Sequence, residues 1–298
     1  MNPLSAERPG ILVLALVTLL AALPVIAEAI PVVFSVGGDA TTASIQPTVD
    51  VFRGALGSPN NGNAPGPLAT GRREINWDGG GATNNSVAGT PFNGFLNIRG
   101  AQFTTSGTGF IQAPASGGTD GGLAAFFGNA TYGSTFGFFS PVRLFTPIGS
   151  NITDAFFFVP GSNGAVQATV SGFGAVFTDV DLAGSTSIQY FDLDGFLLFS
   201  QSVQPGTVAD QSLSFLGVLF TGGERIARVR ITSGNTPLGP NDGGSVDVVV
   251  LDDLLYREPQ AVLEPSTLFL LASGLGALAI VGWRRRRYGS LTTSARGR

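Results

Sequence analysis

Three pairs of aspartates stand at or near the ends of apolar runs: Asp179 with Asp181, Asp192 with Asp194, and Asp252 with Asp253. Residues i and i+2 of an extended chain share a face, so each of the first two pairs turns its carboxylates to one side. Two chemistries use such pairs. A Ca2+ ion takes about six to eight oxygen ligands, and the loops of an extracellular β-domain supply carboxylates and carbonyls of that kind. Asp179, Asp181, Asp192 and Asp194 are the candidate ligands for one structural Ca2+. Glycoside hydrolysis also needs two carboxylates, one of them kept protonated by an apolar wall. Nothing around the aspartates or around Glu74, Glu224 and Glu258 singles out such an acid, so a glycan hydrolase is the less favoured reading. Aspartate at a strand end also caps turns through the local backbone, and Asp194-Gly195 is accounted for by a hairpin alone.

The residue types that are missing exclude much else. The chain has 298 residues, no His and no Cys, and its sixteen basic residues are all Arg. No Ser-His-Asp or Cys-His nucleophile, Schiff-base lysine or His/Cys zinc site can be built. The expectation is a protein that is not an enzyme and has no cofactor beyond that structural Ca2+. Between Ile30 and Leu263 nine arginines face seventeen acids, a poor surface for nucleic acid. Sugar binding would need exposed aromatic faces, for which Trp77, Tyr132, Tyr190 and Tyr256 are the candidates; most of the 23 Phe read as core.

The elements that would carry these residues read as strands. Pro31–Val36, Thr48–Ala55, Pro91–Ile98, Ala101–Thr105, Asp154–Val159 and Ala165–Val170 are apolar or alternating runs, as are Phe173–Val180, Ser187–Asp192 and Phe196–Val203. Ile226–Thr232 alternates, with Ala227, Val229 and Ile231 on one face and Arg228, Arg230 and Thr232 on the other; Ser245–Leu251 and Asp253–Tyr256 complete the set. Gly-, Pro- and Asn-rich stretches separate them, including a loop between Gly57 and Gly71. No helical pattern stands out between the two ends. The fold expected is all-β: an antiparallel two-sheet sandwich of jelly-roll-like type, flanked by an N-terminal signal helix and a C-terminal transmembrane helix.

The two ends are different in kind. Residues 1–29 form a signal peptide: Arg8, the apolar run Ile11–Ala22, and an A-x-A cleavage site at Ala27 and Ala29. Residues 30–91 supply the first strands and the Gly/Pro-rich loop of the ectodomain, and residues 92–259 its sandwich core. Glu258–Leu263 reads as a short linker. Residues 260–298 form a tail in three parts: Glu264-Pro265-Ser266, the uncharged run Leu268–Trp283, and Arg284, Arg285, Arg286 and Arg287. A helix over 266–283 would be about 27 Å long at about 1.5 Å per residue, enough for a hydrocarbon core of about 30 Å. The arginines would keep its end cytoplasmic and the domain outside.

This tail resembles the PEP-CTERM sorting signal of bacterial surface proteins, with Leu263 where that motif has its first Pro. The blocks Gly172–Asp181, Arg225–Val229 and Asp252-Asp253 resemble a recurrent ectodomain of the same proteins. The resemblance implies processing near Glu264-Pro265 by an exosortase-type membrane transpeptidase. It implies an inner-membrane precursor delivered to the cell surface or extracellular matrix of a Gram-negative bacterium, with extracellular polysaccharide as a partner. The alternative is a carbohydrate- or calcium-binding module that stays anchored in the inner membrane.

Overall fold

The computed structural model describes residues 31–79 and 81–262. The signal segment with Ala27 and Ala29, and the tail with Glu264, Pro265, Ser266 and Arg284–Arg287, lie outside the described residues. In chain order the strands begin with β1 (Val32–Gly37), β2 (Arg72–Ile75), β3 (Ser86–Gly89), β4 (Ala101–Thr104) and β5 (Gly109–Ala113). They continue with β6 (Leu144–Ile148), β7 (Ile152–Phe157), β8 (Ala168–Thr169), β9 (Gly172–Thr178) and β10 (Ser187–Phe191). The last are β11 (Leu197–Ser202), β12 (Leu213–Leu219), β13 (Arg228–Thr232), β14 (Val250–Arg257) and β15 (Gln260–Ala261). The helices are α1 (Thr42–Leu56) and three short ones, α2 (Leu96–Arg99), α3 (Gly122–Phe127) and α4 (Tyr132–Thr135).

The chain is mostly strand, in antiparallel sheets, as expected of an all-β sandwich. The larger sheet runs β1-β12-β9-β14-β6-β5-β3, with β2 also paired to β14. The smaller runs β11-β10-β13-β7-β4. Their facing surfaces enclose the main core, where Trp77, Phe103, Phe145, Phe157, Phe173 and Tyr256 meet Tyr190, Val229 and Ile231. Trp77 and Phe145 stack at 3.8 Å with their planes parallel within 1°.

The larger sheet is covered on its outer face as well. Ile45, Val49, Phe52 and Leu56 of α1 pack on Val176, Phe215 and Leu255. Beside them, Leu123, Tyr132 and Phe136 pack on Ile111, Leu144 and Val250. Strands buried on both faces lose the apolar–polar alternation and read as near-continuous apolar runs. Every residue of β9 and β12 is buried. Strands β10 and β13 of the smaller sheet are covered on one face and alternate strictly.

Three sequence expectations are corrected here. Thr48–Ala55 is not a strand but most of α1, and Pro91–Ile98 runs into the short helix α2, so the region between the ends does contain helices. The apolar residues of α1 fall at i, i+4, i+7 and i+11, the stripe a helix lays on a sheet. Pro47 inside it and five β-branched residues obscure that signal. Glu258–Leu263 is also not a free linker over its described part. Glu258 is 2 % exposed, Gln260 and Ala261 pair with β8, and the Val262 amide donates to Gln167 O at 3.0 Å.

Candidate cation site

Asp179 follows the last residue of β9 in a left-handed conformation (φ 71°) that aspartate tolerates better than most residues. The turn carries Asp181 out beside it. The 17-residue connection between β13 and β14 returns over the same end of the sandwich and brings in Asp242. One carboxylate oxygen from each of Asp179, Asp181 and Asp242 lies within 4.8 Å of the other two.

The cluster is braced from behind. Asp247 is fully buried; its carboxylate accepts from the amides of Asp181 at 3.4 Å and Leu182 at 3.1 Å, and from the Ser185 hydroxyl. The Asp247 amide and carbonyl are both paired with Asn235. Asp242 Oδ1 accepts from the Val248 amide at 3.0 Å. Asp179 differs from all of these. It is completely buried, and neither of its carboxylate oxygens has a hydrogen-bond partner. A buried carboxyl normally has its partners, and leaving one bare is costly.

Electrostatics follow from that crowding. Burial, then the charge of Asp181, pushes Asp179 up to about 9. Burial, then the charge of Asp242, pushes Asp181 up to about 6. Asp242 is shifted upward too, chiefly by burial. Such a group of oxygens is matched to a hard divalent cation, which replaces the protons and satisfies the bare oxygens together. Ca2+ fits better than Mg2+, because three carboxylates on two irregular connections form no octahedral cage.

Two of the four candidate Ca2+ ligands are therefore gathered here, and two are not. Asp192 Oδ1 accepts from the amides of Asp194 at 3.0 Å and Phe196 at 2.8 Å, so this pair closes the β10–β11 hairpin. Asp242 was not legible as a partner. It lies in an Asn-Asp-Gly-Gly turn of a long connection, and that turn motif was the one available signal.

Asp252 and Asp253 form a second, separate acidic group. Asp252 is fully buried and takes the amide of Phe139 at 2.7 Å; Asp253 takes the Ser140 hydroxyl at 2.7 Å. Burial pushes Asp253 up to about 6, and raises Asp252 further with the charge of Asp253 added. The four aromatic candidates for a sugar platform are overturned. Trp77 is 1 % exposed and Tyr132, Tyr190 and Tyr256 are 0 %. Their polar atoms serve the fold: Trp77 Nε1 donates to Asp252 O, and Tyr256 Oη to Arg99 O at 2.9 Å.

Among the described residues no helix is long and apolar enough to cross a membrane. The chain matches no protein-family model and has no significant similarity to a curated protein.

Proposed function

We propose that this is an exported bacterial surface or extracellular-matrix module without enzymatic activity, whose β-sandwich is locked by one Ca2+ held by Asp179, Asp181 and Asp242. The observation that carries the cation assignment is Asp179, a fully buried carboxylate with two unpartnered oxygens beside two further carboxylates. The sandwich itself is best described as jelly-roll-like, supported by strands β9 to β14, which cross repeatedly between the two sheets. Delivery rests on the two ends of the chain. The signal segment starts export, the apolar run stops transfer, and an exosortase-type transpeptidase cuts near Glu264-Pro265.

Calorimetric titration of the purified full-length protein with Ca2+, and its melting temperature with Ca2+ and with chelator, test the cation site. Saturable heat and a raised melting temperature are expected; the absence of both would overturn it. Intact mass from envelope and medium tests delivery. A product from Ile30 to about Glu264 supports sorting. A product that keeps Arg298 favours the alternative, a binding module anchored in the inner membrane.

A further inference from the structure

Arg99 ends α2 beside a cleft that the cation site does not share. Two cavities meet there, of about 320 Å3 and about 280 Å3, and Asn76 and Arg99 line both. The smaller is also lined by Asn63, Gln112, Phe95 and Arg143. In the larger, the acids are already neutralised. Glu74 is held by Arg53 at 3.0 Å and Arg72 at 2.6 Å, and Asp253 lies 3.7 Å from Arg53.

Arg99 is the exception. Among the described residues it forms no ion pair, and its Nε is buried with no hydrogen-bond partner. Burial is the main force that lowers the Arg99 pKa; Arg73 adds to that shift, and Tyr256 and Glu74 oppose it. Arg143 spends Nε and one terminal nitrogen on the Trp77 carbonyl, at 3.0 and 2.6 Å; its amide donates to Asp78 Oδ1 at 3.0 Å, and among the described residues its side chain forms no ion pair. A buried guanidinium donor that lacks an acceptor needs one, and the planar fork fits a carboxylate or sulfate in bidentate fashion. Around that fork stand carboxamides, which pair with hydroxyls in either direction, and the Phe95 ring as an apolar wall. Guanidinium, amides and a ring face together are the chemistry of an acidic sugar.

We infer that the Arg99 cleft binds an anionic sugar unit, its carboxylate on Arg99 and its hydroxyls on Asn63, Asn76 and Gln112. That the sugar belongs to an extracellular polysaccharide rests on the matrix reading above; the anion site itself does not. The cavity volume suits one small unit of a chain and not a large ligand.

The test is titration of the full-length protein with trigalacturonate, with a neutral trisaccharide of the same length, and with inorganic sulfate. Saturable binding of trigalacturonate is expected, with at least tenfold weaker binding of the other two. Arg99→Gln should abolish it with the melting temperature kept, and Arg99→Lys should restore part of it. If Arg99→Gln does not fold, the exposed Asn63→Ala and Asn76→Ala should each weaken trigalacturonate severalfold. Equal binding of the neutral sugar would overturn the role of Arg99. Sulfate binding as tight as trigalacturonate would show a free-anion site and overturn the sugar. No binding of any probe would overturn the site, while cleavage near Glu264 would stand or fall on intact mass alone.

Discussion

Arg73 and Glu258 form a buried bidentate ion pair across 185 residues of sequence. Nε meets Oε2 and a terminal nitrogen meets Oε1, both at 2.7 Å, and the two side chains are 0 % and 1 % exposed. The remaining donors and acceptors are also engaged. Arg73 donates to Gly62 O, and Glu258 accepts from the Leu68 amide and from Asn61. The Gly57–Gly71 loop is thereby fastened to the end of β14. Removing one partner strands the other charge in the interior, which costs about 3–5 kcal/mol. Glu258→Ala should lose stability by about that much in urea unfolding, and Arg73→Met with Glu258→Leu should lose clearly less than the sum of the two single changes.

Asp179→Asn should act in opposite directions with and without cation. It removes a buried carboxyl that must stay protonated when no ion is present, so the cation-free protein gains up to a few kcal/mol at neutral pH. It also removes a ligand, so the rise in melting temperature with Ca2+ disappears. Melting curves of both proteins in chelator and in excess Ca2+ read both effects. A variant that is less stable in chelator, or that keeps the full Ca2+ response, would contradict the assignment.

Stability should depend on pH in an uncommon sense for a carboxylate-rich protein. Asp179, Asp181 and Asp253 are raised from 3.8 to about 9, 6 and 6 in the folded state. The folded protein then holds more protons than the unfolded chain, and stability falls as pH rises. For Asp181 and Asp253 the fall spans about pH 4 to 6; for Asp179 it continues toward about 9. Excess Ca2+ should abolish the part due to Asp179 and Asp181 and leave the part due to Asp253, which Asp253→Asn should remove. Urea unfolding at intervals from pH 4 to 9 measures all of it.

Phe52 lies on a bed of two glycines. Gly174 and Gly217 are paired across β9 and β12, and a Cβ at Gly217 would lie 2.9 Å from three carbons of the Phe52 ring. Helix α1 reaches the sheet because these side chains are absent. Gly217→Ala should destabilise by about 1–3 kcal/mol through overpacking, and Phe52→Leu in the same chain should recover part of it. Urea unfolding of the single and double variants decides this; a double variant no better than the single would show that α1 is held elsewhere.

These glycines also explain what the sequence left hidden. Strand β13 was legible because one face meets water and Arg228 and Arg230 alternate with Val229 and Ile231. Strands β9 and β12 are both covered on both faces and carry no period; β9 was read as an apolar run, and β12 was not assigned. The helix that covers it was hidden by Pro47 and by β-branched residues. At the cation site, Asp179 and Asp181 were visible as a strand-end pair, whereas Asp242 reaches them through a connection whose path only tertiary structure sets. The acids that look equivalent in sequence part company by environment: Asp192 finds amide donors in its own turn, and Asp179 finds none.

The fastening of Glu258 and of residues 260–262 has a mechanical meaning. Tension applied beyond Val262 enters through β15 and passes directly into β14. That strand lies in the interior of the larger sheet, with β9 and β6 on its flanks and β2 paired along its end. A pull along β14 must shear many hydrogen bonds at once and break the Arg73–Glu258 pair, where an edge strand would peel away one bond at a time. The described domain therefore resists a pull at its C-terminal end more strongly than a domain that ends in an edge strand.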